Sequence, residues 1–128
     1  MLVTGCAATA KVFDPPSGLF MSGGAIIKAT TAPTASLLKD GSVLLAGGYV
    51  SSEIVTCPIC GVNSVNYSQA FAERFAPECE CFTVTGSLVT PRDGHTATTL
   101  SDGSVLVAGG VKRVRTSSTA LSSAELYK

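Results

Sequence analysis

The chain has no tryptophan, one histidine, two methionines and little charge: 14% of its 128 residues are Asp, Glu, Lys or Arg, nine of each sign. A balanced charge supplies no field to gather phosphates, so no nucleic-acid partner is expected. With His95 as the sole histidine, one chain cannot assemble a multi-histidine metal set, and any Ser-His-acid set drawn from so many serines is unconstrained. No apolar run approaches the roughly 20 residues that cross a bilayer as a helix, so no membrane partner is expected. The opening Met1-Leu-Val-Thr-Gly-Cys6 lacks the basic stretch and apolar run of a signal peptide. There is no paired-carboxylate motif, and the glycine-rich segments close apolar runs instead of opening helices, unlike phosphate loops. The expectation is a protein that is not an enzyme and has no cofactor.

What the chain does have is repetition. Thr34-Ala-Ser-Leu-Leu-Lys-Asp-Gly-Ser-Val-Leu-Leu-Ala-Gly-Gly48 returns as Thr96-Ala-Thr-Thr-Leu-Ser-Asp-Gly-Ser-Val-Leu-Val-Ala-Gly-Gly110, and Met1–Cys6 reads as a degraded third copy. Self-similarity on this scale marks an array of small supersecondary units. Each full copy alternates apolar with small polar residues, passes through Asp-Gly, and ends in a short apolar run before Gly-Gly. That is a hairpin pattern, with Asp40-Gly41 and Asp102-Gly103 expected to place both central residues at positive φ. The runs Val43–Ala46 and Val105–Ala108 read as strands buried on both faces. The paired glycines suit close approach of backbone to backbone.

A third strand is expected at Lys11–Asp14, Ser52–Thr56 and Ser123–Tyr127, and a fourth at Leu19–Ser22 and Phe82–Thr85. Units of four antiparallel strands and about 40 to 50 residues fall in the range of propeller blades. At His95-Thr-Ala-Thr-Thr-Leu100, Asp102-Gly, Val105–Gly110 and Ser122–Tyr127 the chain resembles the kelch-type β-propeller repeats of the galactose-oxidase-like group. The resemblance implies an all-β fold of about three incomplete four-stranded antiparallel blades, spanning residues 1–128 as one unit. It carries little about function. Enzymes of that group hold copper through Tyr and His, whereas Tyr49, Tyr67 and Tyr127 are dispersed here and His95 stands alone, so copper is not expected. His95 reads as a hydrogen-bonded residue at the start of an inner strand.

Propellers close with four to eight blades, and three incomplete ones leave edges and faces uncovered. The preferred expectation is a non-enzymatic binding or structural module completed by self-association, two copies giving about six blades, with a protein or glycan as its possible ligand. The alternative is a truncated fragment of an extracellular propeller enzyme or carbohydrate-binding protein.

The interval between the last two Gly-Gly motifs is 20 residues longer than the first, and residues 57–81 read as an insertion between the third and fourth strands of the second blade. Cys57-Pro-Ile-Cys60-Gly61 and Cys79-Glu-Cys81 lie eighteen residues apart. The first half resembles a zinc knuckle, and Cys57, Cys60, Cys79 and Cys81 could together hold zinc. Nested disulfides, Cys57 with Cys81 and Cys60 with Cys79, are the preferred alternative; free thiols are the third. Oxidised cysteines would favour an extracellular setting, but localisation stays open. Cys6 reads as a buried thiol.

Within the insertion, Ser68–Phe75 fits a short helix capped by Ser68, with Phe71 and Phe75 on one face. That face is expected to pack down on the parent blade; the alternative is that Phe71, Phe75 and Tyr67 are presented to a partner. The cluster Lys112-Arg113-Val114-Arg115 reads as a solvated loop.

Overall fold

The computed structural model describes residues 2–3, 9–57 and 61–128. The described residues contain strands and no helix: β1 (Leu2–Val3), β2 (Thr9–Asp14), β3 (Leu19–Ala25), β4 (Thr34–Leu37), β5 (Val43–Ala46), β6 (Tyr49–Cys57), β7 (Gly61–Ser68), β8 (Ala72–Ala76), β9 (Cys81–Val84), β10 (Thr96–Thr99), β11 (Val105–Ala108), β12 (Val111–Arg115), β13 (Ser117–Ala120) and β14 (Ala124–Tyr127). They form four antiparallel sheets, ordered β1-β2-β3, β4-β5-β8-β9, β10-β11-β14 and β13-β12-β7-β6.

The two long repeats fold alike, residue for residue. Thr34 faces Ala46 and Leu37 faces Val43; Thr96 faces Ala108 and Thr99 faces Val105. The hairpin turns are also the same, but differ from the expected form. Leu38 N–H donates to Ser42 O (2.8 Å) and Gly41 N–H to Leu38 O (3.1 Å); Leu100, Ser104 and Gly103 repeat this at 2.8 and 3.0 Å. Only the glycines take positive φ, +85° at Gly41 and +93° at Gly103, so each loop is a type I turn closed by a left-handed glycine. Asp40 and Asp102 stay right of that region because their carboxylates have another task. Each accepts the N–H and hydroxyl of the serine two residues on, at 3.0 and 2.5 Å for Ser42 and 2.9 and 2.5 Å for Ser104. Those hydrogen bonds hold both carboxyls below the usual aspartate range.

The third strand of the second sheet is β8, not Ser52–Thr56. Val43 faces Phe75 and Ala46 faces Ala72, as Val105 faces Tyr127 and Ala108 faces Ala124. Ala72-Glu73-Arg74-Phe75 is therefore the counterpart of Ala124-Glu125-Leu126-Tyr127, and the helix expected over Ser68–Phe75 does not form. An unpartnered β5 edge outweighs the local preference of Ala, Glu and Arg for helix, because a strand there satisfies a row of backbone groups and buries Phe75. The strands expected at Leu19–Ser22 and Phe82–Thr85 lie within or overlap β3 and β9.

What separates β5 from β8 is the hairpin β6–β7, and what separates β11 from β14 is the shorter hairpin β12–β13. Lys112–Arg115 is thus a strand, not a loop. The two hairpins meet edge to edge, Val114 facing Tyr67 and Arg115 facing Asn66. The described part of residues 57–81 holds the end of β6, all of β7 and β8, and the start of β9.

Two apolar clusters join the first three sheets. Ala10 of β2, with Val12, packs on Leu45, Phe75 and Phe82; on the opposite face, Leu44, Ala46 and Ala72 pack on Val105, Val107 and Tyr127. The second sheet is the middle layer, so adjacent Leu44 and Leu45 are both buried, at 1% and 4% exposure. Strand β11 departs from the two-sided burial expected: Val105 and Val107 are buried, but Leu106 between them is 37% exposed. Nothing among the described residues covers that side.

One position in the repeat is strained. Ala32 has φ +53° where its counterpart, Gly94, has φ +62°. A left-handed alanine costs about 1–2 kcal/mol, and glycine returns about 0.4–1 kcal/mol of that through unfolded-chain entropy. Ala32→Gly is therefore expected to stabilise the chain by roughly 0.5–1 kcal/mol, read as a higher urea midpoint; a lower midpoint would refute the strain.

Candidate functional site

The densest polar constellation lies where the two repeats meet. Arg92 is fully buried, although an arginine is rarely so unless paired. Its Nη1 donates to Gly109 O (2.8 Å) and Ser123 O (3.0 Å), and its Nη2 to Ser123 Oγ (3.0 Å) and Glu125 Oε2 (2.9 Å). Its own backbone carbonyl accepts Gly48 N–H at 3.0 Å. One residue thus ties the Gly-Gly of the second repeat to that of the third.

Next to it, Asp93 is 2% exposed and fully engaged. Ser68 Oγ donates to its Oδ2 (2.6 Å) and Arg113 Nε to its Oδ1 (3.0 Å), while Arg113 N–H donates to Ser68 Oγ (2.7 Å). The Arg113 guanidinium also sits 5.4 Å from the Tyr49 ring centre. This network clamps the roots of both hairpins and gives Ser68 a use other than capping a helix.

His95, 6% exposed, immediately precedes β10, and its Nε2 lies 2.8 Å from Thr34 Oγ1 in the neighbouring sheet. Burial, reinforced by the Arg92 charge, pushes the imidazole below its ordinary value of 6.5, so the ring is neutral at pH 7. Among the described residues its Nδ1 has no hydrogen-bond partner, and the Nε2–Thr34 contact braces two sheets.

Glu73 and Glu125 occupy the same place in the two repeats. Glu73 accepts Ile27 N–H (2.9 Å), and Glu125 accepts Val89 and Thr90 N–H (2.5 and 3.1 Å). Only Glu125 has a cation, because Thr30 stands where Arg92 stands, donating to Gly47 O at 3.0 Å. Burial alone would raise both carboxyls. It does raise Glu73, whereas the Val89, Thr90 and Arg92 hydrogen bonds bring Glu125 below its ordinary value. A raised carboxyl contributes stability that is complete below its unfolded value, near 4.5, and is lost as pH rises through the folded value. Glu73→Gln, which keeps an acceptor for Ile27, is accordingly expected to unfold at a higher urea concentration than the parent chain at pH 7. The gain should vanish below pH 4.5; an equal gain at both pH values would assign it to packing.

The aromatic residues singled out from sequence do not share one exposed surface. Phe75 is 3% exposed and packs on Phe82 with ring centres 5.1 Å apart, so it belongs to the core and not to a partner surface. Phe71 is half-buried under Lys28 Nζ, 5.4 Å from its ring centre, and Tyr67 is half-buried in the hairpin sheet. Cys79 and Cys81 lie within disulfide distance of each other, Cα atoms 5.2 Å apart, across the turn from β8 to β9. The nested bridges, Cys57 with Cys81 and Cys60 with Cys79, and the four-cysteine zinc set also involve the Cys57 side chain and Cys60, which lie outside what the structure describes. The Cys57 backbone pairs with Gly61 at the end of the long hairpin. Cys60 and Cys6 lie outside the described residues.

Arg92 and Asp93 carry no sequence motif, and their counterparts Thr30 and Thr31, which repeat the bond to the Gly-Gly carbonyl and the backbone bridge, lack their charge. The legible signal was a Pro-Arg-Asp-Gly-His run just ahead of a repeat otherwise poor in charge. No protein-family model matches the chain, and no curated protein matches it.

Proposed function

We propose that the chain is a non-enzymatic, kelch-like β-propeller module that serves as a binding or structural unit and is completed by self-association. Its first three sheets are read as blades: the second complete, the first lacking its innermost strand and the third its outermost. The observation that carries the reading is a pair of equivalent leucines. Leu44 of the middle sheet is 1% exposed against the next sheet, while its counterpart Leu106 is 37% exposed with its register neighbour Leu126 at 45%. At the other end, Phe20 is 55% exposed, whereas Phe82, in the same position of the second sheet, is 9% exposed. One end of the array thus offers Leu106 and Leu126, and the other offers Phe20. Faces that pack inside the chain lie open at its ends, and a head-to-tail contact between copies would cover both.

Light scattering on a size-exclusion column tests this. A discrete species of twice the 13.0 kDa chain mass is expected, reverting to 13.0 kDa in Leu106→Lys. A parent chain running at 13.0 kDa at every concentration would overturn the reading.

A further inference from the structure

The two junctions between neighbouring sheets are built on one plan and furnished differently. Between the second and third sheets the Arg92 guanidinium is held by Gly109 O, Ser123 O, Ser123 Oγ and the Glu125 carboxylate. Between the first and second, the corresponding places belong to Thr30, Gly47, Phe71 and Glu73, because Ala46 faces Ala72 as Ala108 faces Ala124. The backbone repeats its bonds: Gly109 N–H donates to Ser123 O (3.1 Å) and Gly47 N–H to Phe71 O (3.0 Å). Threonine is too short to fill an arginine's place. Thr30, Gly47, Phe71 and Glu73 all lie in the wall of one cavity, with Lys28 beside them.

That wall is rich in acceptors. Glu73 is 3% exposed and, among the described residues, has no ion-pair partner. Gly47 O accepts the Thr30 hydroxyl and Phe71 O the Gly47 N–H, and each carbonyl has a second lone pair. Where the third sheet has the Ser123 hydroxyl, Phe71 supplies a ring whose face attracts cations, and Lys28 Nζ already lies 5.4 Å from its centre. A carboxylate, two carbonyls and an aromatic face suit a flat, delocalised cation better than a compact ammonium, which has no plane to stack. The space is narrow, admitting a water-sized sphere over only about 10 Å³, so the exposed Lys28 side chain moves aside when a larger group enters.

We infer that this cavity is a binding site for a guanidinium group, taking from a ligand what Arg92 supplies from the chain itself at the next junction. Glu73 pairs with the charge, Gly47 O and Phe71 O accept its N–H groups, and the Phe71 ring covers its plane. An arginine side chain on a partner and a free guanidino compound offer the same chemistry. The site does not depend on the association proposed above, which uses Leu106, Leu126 and Phe20.

The test is a titration of methylguanidinium chloride into the isotope-labelled full chain, followed by amide shifts and compared with sodium chloride at the same concentrations. Saturable shifts are expected at Ile27, Lys28 and Gly47, with a dissociation constant on the order of 1 mM. Methylammonium should bind more weakly, since it reaches fewer of the acceptors. Glu73→Gln should weaken methylguanidinium about tenfold or more. That variant is expected to be more stable than the parent chain at pH 7, so its loss of binding is not a loss of folding. Thr30→Arg, which supplies the group from within, should abolish the titration and raise the urea midpoint. Acetyl-arginine amide binding as well as methylguanidinium would assign the site to an arginine side chain, and its exclusion to a free guanidino compound. Absence of saturable shifts, equal binding of methylammonium, or binding unchanged by Glu73→Gln would each overturn the inference.

Discussion

Replacing Arg92 by methionine is expected to cost about 3–5 kcal/mol, the range seen when one partner of a buried ion pair is removed. The side chain is wholly buried and supplies four hydrogen bonds, so its loss strands two carbonyls, one hydroxyl and the Glu125 carboxylate at once. Small domains have about 5–15 kcal/mol in hand, so roughly a fifth or more of the total would disappear. Urea unfolding at pH 7 would show it as a much lower midpoint. Arg92→Lys should recover only part, since an ammonium lacks the planar fork that reaches Gly109, Ser123 and Glu125 together. A loss under about 1 kcal/mol for Arg92→Met would mean that water or neighbouring donors replace the guanidinium, and that Arg92 does not hold the repeats together.

Gly110→Ala should be nearly as severe. A Cβ there would lie 2.5 Å from Asp93 O and 2.8 Å from His95 N, on a backbone at φ +82°. Left-handed strain of about 1–2 kcal/mol adds to overpacking of about 1–3 kcal/mol, and the atoms in the way are backbone that cannot rotate aside. Gly41→Ala is the control, because Gly41 has φ +85° with nothing within 4 Å of a new Cβ. It should lose the strain component alone. Equal losses from the two substitutions, measured as urea midpoints, would show that the approach of Asp93 and His95 to Gly110 is not tight.

The residues that were legible in sequence are those whose environment the repeat preserves. Thr34–Ala46 and Thr96–Ala108 announce the same hairpin because Asp-Gly, the alternation and Gly-Gly are all local signals. Strand β8 was obscured because the two hairpins leading to third strands differ in length by ten residues, which displaces Ala72–Phe75 from the spacing set by the first two strands. At the displaced position, Ser68, two phenylalanines four apart and three good helix formers mimic a capped helix. Alignment of Ala72-Glu73-Arg74-Phe75 with Ala124-Glu125-Leu126-Tyr127 would have exposed it. The polar junction could not be read in that way. Arg92 and Asp93 replace threonines, so the feature that joins the repeats is by nature absent from what they share.

The edge-to-edge meeting of the two hairpins has a mechanical consequence. Stacked repeats ordinarily touch only through their faces, and each can open with modest disturbance to its neighbour. Here force or heat acting on the third sheet reaches the second not only through the Leu44–Val107 apolar layer and the Arg92 and His95–Thr34 hydrogen bonds, but also through the β7–β12 ladder at Tyr67 and Val114. The second and third sheets are thereby made a single cooperative body. The β1-β2-β3 sheet takes no part in that ladder, which makes it the natural place for the molecule to begin to come apart.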